Sequence, residues 1–190
     1  MVQIIELLGN KNAIKLIAFF LRNPTLQIYQ QEIRKRVKLS KATLIKWLNM
    51  LVKQDILRFK EYGRAKVYFL QRENPIVKHL KILDNLFLTC NIKNIADKHE
   101  VRIYLYGSAA RGEDVENSDI DILITGKIKK EDIIEDIGKI SEKIKRQIKA
   151  EIFSYLEWSQ VAKKDRAFYE RVEKDKIEIS QNPDRFCTPH

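Results

Sequence analysis

The chain has 190 residues, with 36 Lys and Arg against 26 Asp and Glu, and 44% of its residues are apolar. That length holds one medium domain or two small ones, and the apolar share argues against wholesale disorder. The net charge of +10 is unevenly placed: residues 1–90 hold 17 basic and 6 acidic side chains, whereas residues 91–190 hold 19 and 20. A basic half joined to a near-neutral half suggests a polyanion-binding part linked to a part with another task.

The start of the chain, with Glu6 and no basic segment followed by a small-residue cleavage site, does not read as a secretory signal. The longest unbroken apolar run, Leu16 to Leu21, is six residues, where a membrane span needs about 20. No membrane contact is expected, and the expected location is the cytoplasm. Cys90 and Cys187 lie far apart outside any C-x-x-C pair, so both are expected as free thiols. His79, His99 and His190 are scattered and receive no role.

Asn10 is placed to cap a first helix with Ile14, Ile17, Ala18 and Leu21 as its apolar positions, ending near Asn23-Pro24. A second amphipathic helix is expected from about Ile28 to Val37, with Arg34, Lys35, Arg36 and Lys38 at its end. After a short link, Ser40 suits the N-cap of a third helix whose buried stripe is Leu44, Ile45, Leu48, Leu51 and Val52. So short a turn between two helices fits helix-turn-helix geometry, in which the second helix of the pair enters the major groove. Ile56–Lys60 and Lys66–Leu70 then read as strands around a Gly-containing tip, Glu61-Tyr62-Gly63-Arg64-Ala65.

This order, three helices and a basic hairpin over residues 10–72, resembles the winged helix-turn-helix domains of bacterial and archaeal transcription regulators. The resemblance implies that Ser40, Lys41, Thr43 and Lys46 reach base edges or phosphates of double-stranded DNA. Arg64 and Lys66 would contact its backbone. The alternatives are solvated polar faces, or a surface for dimerisation or partner binding.

Asn74-Pro75 ends this region, and Ile76, Leu80, Leu83, Leu86 and Phe87 predict a linking helix towards Asn91. The texture then changes. Val101–Tyr106 alternates as a strand and leads straight into Gly107-Ser108-Ala109-Ala110-Arg111-Gly112; a second strand runs Asp119–Ile124. Because strand side chains alternate, Asp119 and Asp121 share a face while Ile120, Ile122 and Ile124 point into the core. Two carboxylates about 7 Å apart on one face repel unless a cation lies between them, and hard oxygen ligands suit magnesium. The Gly107-Ser108 turn offers backbone N–H groups and a hydroxyl to a phosphate, and Arg111 offers charge-assisted hydrogen bonds.

Gly107-Ser108, ten intervening residues and Asp119-x-Asp121 resemble the signature of the DNA polymerase beta-like nucleotidyltransferase superfamily. The fuller strings Gly-Ser-Ala-Ala-Arg-Gly and Ser-Asp-Ile-Asp-Ile-Leu are especially similar to the minimal nucleotidyltransferases, or MNT domains. The resemblance implies that Gly107, Ser108 and Arg111 bind nucleotide and that Asp119, Asp121 and a third acid bind Mg²⁺ or Mn²⁺. The reaction implied is transfer of a nucleotidyl group, most often AMP from ATP, to an acceptor. In the best-understood members, antitoxins of HEPN–MNT pairs, the acceptor is a tyrosine of the partner toxin. Here the third acid falls on Glu151, at the head of the strand Ala150–Tyr155 that follows a helix of about Glu131–Ile148; the family more often carries Asp there.

Trp158–Ser180 is expected to hold a helix with Val161, Phe168 and Val172 as anchors, then a short strand, Lys176–Ile179. The expected fold class is α+β. Residues 1–74 form a winged helix-turn-helix, 75–98 a linking helix packed on the second domain, 99–180 a small mixed-sheet nucleotidyltransferase domain, and 181–190 a tail. The expected function is metal-dependent nucleotidyl transfer by a DNA-binding regulator, with a HEPN-type toxin or another protein as acceptor. The other reading is a DNA-binding regulator whose second domain senses nucleotide or binds a partner without turnover. A homodimer is expected because helix-turn-helix proteins commonly read two half-sites.

Overall fold

In the computed structural model, which describes residues 7–180, contacts divide the chain into two units, residues 1–81 and residues 82–190. The proposed tail, with Cys187 and His190, lies outside the described residues, as does Glu6.

In the first unit the N-cap of α1, Lys11–Leu21, is Asn10: its side-chain oxygen accepts from the amides of Asn12 and Ala13. The buried face of α1 is Ala13, Leu16, Ile17, Phe20 and Leu21; Ile14, expected in the stripe, is exposed. The second helix also differs from expectation. Ile28–Tyr29 is a short strand, β1, because it pairs antiparallel with Tyr68 and Val67, and the helix proper, α2, is Gln30–Val37. Lys38 adopts a left-handed conformation, φ +53°, and ends α2 there. Two residues later Ser40 caps α3, Lys41–Lys53, by accepting from the amide of Thr43. Leu44, Trp47, Leu48 and Leu51 are its buried stripe, while Ile45 and Val52 stand at the margin.

The wing is the antiparallel hairpin β2, Leu57–Tyr62, and β3, Ala65–Leu70. Tyr62 pairs with Ala65, so the loop is only Gly63-Arg64, with a positive φ at Gly63 alone. That is the demand of a II′ turn, whose first central position favours glycine. The sheet order is β1-β3-β2, and one core gathers the buried faces of α1, α2 and α3 with Ile28, Leu57, Tyr68 and Leu70.

Helix α4, Pro75–Thr89, precedes a short 3-10 turn, Cys90–Ile92, and α5, Lys93–His99. Then come β4, Arg102–Tyr106; α6, Gly107–Arg111; β5, Ile120–Thr125; α7, Ile134–Ile144; and β6, Ile148–Phe153. The expected helix to Ile148 stops at Ile144, because Lys145 turns left-handed (φ +57°). Ile148 instead starts β6, with its amide donating to Ser141 Oγ and its Cα opposite Ile120. The expected single C-terminal helix is two. Ser154 and Glu157 form a reciprocal capping box at the start of α8, Tyr155–Lys164. Asp165 leaves helical geometry and caps α9, Arg166–Asp175, by accepting from the amide of Phe168. Strand β7, Ile177–Glu178, completes the order β6-β5-β4-β7.

In that sheet β4 and β5 are antiparallel, β5 and β6 parallel, and β7 antiparallel to β4. One face carries Ile103, Leu105, Ile120, Ile122, Ile124 and Ile148 into a core with Ile95 of α5 and Ile137 and Ile140 of α7. The other carries Tyr106 and Leu123, which pack with Val172, Trp158 and Phe168 of α8 and α9. This second face also carries the chemistry.

Candidate active site and nucleic-acid face

The two aspartates obey the strand alternation. Asp121 lies on β5 with Asp119 two residues earlier, both half-buried, on the face opposite the isoleucine core. The register places Asp121 beside Tyr106 of β4 and Lys149 of β6, and Leu123 beside Glu151. Glu151 therefore shares the face but sits two positions further along.

The turn from β4 into α6 meets this face at Gly107. A Cβ there would fall 2.7 Å from Asp121 Oδ2, and Gly107 has φ +71°. The backbone favours glycine because L-residues resist this region, and a Cβ there would also force the end of the Asp121 carboxylate to shift. The side chain of Tyr106, the residue before the helix, makes no cap to its first amides. Ser108 is half-buried beside them. Arg111 extends from the end of α6, with Nε donating to Glu113 (2.8 Å) and Nη1 to Asp175 of α9 (3.0 Å).

The electrostatics follow from this crowding. Burial pushes the Asp121 carboxyl above its ordinary value; Lys149 opposes the rise, while Asp119 and Glu151 add to it and Arg111 opposes it. Tyr106, enclosed and facing the charges of Asp121 and Glu151, is pushed up to about 12 and remains a neutral phenol. Asp119 is held by a direct ion pair with Lys149, Nζ to Oδ2 2.6 Å. Among the described residues, no group of three or more His, Cys, Asp or Glu lies close enough together to hold a metal ion. The donor chemistry nevertheless fits a hard divalent cation: two carboxylates on one face, currently opposed by an ammonium group.

Three groups escaped the sequence reading. Lys149 fell before the expected start of its strand. Arg171, which lies over the Phe168 ring and opposes the upward shift of Tyr106, is a cation facing the same enclosure. The third is a buried network formed by Asn85, Asp114 and Arg146. Asn85 donates to Ala109 O and Asp114 Oδ1, and Arg146 donates to Asp114 Oδ2 (2.8 Å) and, through Nε and Nη2, to Ser118 O. It thus fixes α6 and the residue before Asp119 together.

In the first unit, a cleft is lined by Tyr29, Gln31, Lys41, Arg64 and Lys66 among others, so the structure brings three of the expected DNA contacts together. Lys66 lies 4.2 Å from the centre of the Phe59 ring and 3.6 Å from Glu61. Lys46 is exposed, 5.4 Å from the Trp47 ring centre. Ser40 and Thr43 turn towards each other, Ser40 Oγ donating to Thr43 Oγ1 at 2.8 Å, so their hydroxyls serve the cap. Gln30 and Gln31, at the start of α2, line the same cleft and were not singled out from sequence.

Comparison with known families agrees with this division. Residues 90–180 match the family model described as a nucleotidyltransferase domain, and residues 28–71 match the TBPIP/Hop2 winged helix domain. A search of curated proteins found no match. Among the described residues no helix is long and apolar enough to cross a membrane. The chain is thus an α+β protein that joins an N-terminal winged-helix domain to a nucleotidyltransferase domain.

Proposed function

We propose that the second unit transfers a nucleotidyl group, AMP from ATP, to a protein partner in a Mg²⁺- or Mn²⁺-dependent reaction, and that the first unit binds duplex DNA for transcriptional control. The observation that carries the reading is the apposition of Gly107 and Asp121, which brings the proposed phosphate-binding turn directly against the carboxylate pair. Amides of the turn, the Ser108 hydroxyl and the Arg111 guanidinium bind and orient the triphosphate. Asp119 and Asp121 would hold the divalent cation, and Glu151 shares their face two positions further along, as the third acid the resemblance implies. The cation supplies Lewis acidity and counter-charge at the α-phosphate. Tyr106, neutral at working pH, walls the site and holds its proton beside Asp121. Similarity to the MNT antitoxins supports a HEPN-type toxin as acceptor, and the helix-turn-helix supports a homodimer on two half-sites.

A non-turning-over nucleotide sensor is the second reading. Its support is that Asp119 is engaged by Lys149 and Arg111 by two carboxylates. Incubation with α-labelled ATP and either metal, in the presence of co-purifying protein, separates the two. We expect label on a partner, lost more than about 100-fold in Asp119→Asn or Asp121→Asn, with DNA affinity unchanged. Nucleotide binding without label transfer to any protein or RNA would leave the sensor.

A further inference from the structure

The Lys149–Asp119 pair has an unusual place. Ion pairs such as Lys35–Glu32, Lys139–Glu135 and Arg166–Glu170 stay within one helix, whereas this one crosses from β6 to the acid pair that the proposed chemistry uses. Register sets it there: Lys149 is the Cα partner of Asp121, and its ammonium reaches 2.6 Å from Asp119 Oδ2. Its single charge thus serves both carboxylates, which would otherwise face each other unopposed on one rigid surface. The side chain of Lys149 is 56% exposed and that of Asp119 only 30%. The ammonium stands at the solvent side of the carboxylate and has a flexible four-carbon stem on which to withdraw.

A divalent cation and an ammonium cannot share the same carboxylate oxygen without strong mutual repulsion. We propose that Lys149 is a built-in counter-ion that occupies Asp119 when the site holds no divalent cation and competes with that cation for it, thereby setting the metal affinity. The inference rests on the reading of Asp119 and Asp121 as cation ligands. It has two consequences. Without metal, Lys149 relieves the repulsion of the acid pair and stabilises the second unit. With metal, the lysine must leave, so affinity is lower than the carboxylates alone would give.

The test is Mn²⁺ titration of the full chain at low ionic strength, following the electron paramagnetic resonance signal of the free aquo ion. Wild type is compared with Lys149→Met, Lys149→Arg and Asp119→Asn. Lys149→Met is expected to bind Mn²⁺ about three- to tenfold more tightly, since exposed pairs are worth little individually but the displaced charge also repels the ion. Lys149→Arg should stay near wild type, and Asp119→Asn should bind weakly or not at all. The melting temperature gives a second readout: without metal, Lys149→Met should melt lower than wild type, and Mn²⁺ should raise it by more. Equal or weaker Mn²⁺ binding by Lys149→Met, or an arginine variant that behaves like the methionine one, overturns the counter-ion role and leaves the metal reading standing. If neither wild type nor Lys149→Met binds Mn²⁺, the metal reading itself falls, and the counter-ion role with it.

Discussion

The two units use the same charged residues in opposite ways. In the winged unit, basic side chains sit at the surface: Lys66 lies over Phe59 and Lys46 beside Trp47, and ion pairs such as Lys35–Glu32 and Arg58–Asp55 are exposed. In the nucleotidyltransferase unit, Arg146 and Asp114 meet with side chains 11% and 0% exposed, and Arg111 spans from α6 to α9. Charge at a surface acts over distance and weakens with salt, whereas charge enclosed in a network fixes backbone positions and is screened far less. The winged unit therefore keeps its wing and helix cations at the surface, and the other unit uses two arginines to hold a site in shape.

That contrast can be broken most forcefully at Arg146. Arg146→Met removes the guanidinium that faces the enclosed Asp114 carboxylate, and loss of one partner of a buried pair costs about 3–5 kcal/mol. Denaturant unfolding should show that loss in the second unit while the first keeps its DNA affinity; a change below 1 kcal/mol would show that the network is not structural.

A smaller effect is expected from the surface charges. Lys41→Ala, Lys46→Ala and Arg64→Ala together should weaken duplex binding about tenfold near physiological salt. The slope of log affinity against log salt should fall by up to about 0.9 per lost phosphate contact. Their stability should stay within about 0.5 kcal/mol of wild type. An unchanged salt slope would remove these three residues from the DNA face.

The finest test concerns Asp121. Because burial raises its carboxyl in the folded state, the folded chain holds a proton there at pH values where the unfolded chain has released it. Stability contributed by this group is therefore present at low pH and declines as pH rises from the ordinary aspartate value through the raised folded value. Asp121→Asn should flatten that decline and raise the melting temperature at neutral pH, read from melting curves taken across the acid range. A mutant with the wild-type pH dependence would place the titration elsewhere.

The sequence carried the parts whose signals are local. Asn10 and Ser40 announce helix starts by their own chemistry, Gly63 the wing tip, and alternation in one strand puts Asp119 and Asp121 on one face. It was less informative where a signal had two readings. Ile148 continues the isoleucine spacing of α7, so the strand appeared to begin at Ala150, and Lys149 dropped from view although it shares parity with Glu151. The Ser154-x-x-Glu157 capping box went unread because the strand was carried on to Tyr155, and apolar anchors on both sides of Asp165 read as one helix. Ile28–Tyr29 is a strand only because β3 lies beside it, a partner about 40 residues away. The Asn85, Asp114 and Arg146 network was hidden for a related reason: polar residues in sequence read as surface, and only the tertiary fold encloses them.

The sheet order of the second unit has a consequence for how the protein comes into being. The wing closes through a two-residue loop, and every strand pair of its sheet lies within residues 28–70. By contrast, β5 must wait for the crossover through α7 before β6 can lie parallel to it, and β4 gains its outer neighbour only when Ile177 arrives opposite Leu105. Long-separation pairings form slowly, and domains emerge from the ribosome in order. During synthesis the DNA-facing half is therefore complete while the acidic strands still lack their neighbours, so a nascent chain acquires an address before it acquires a chemistry.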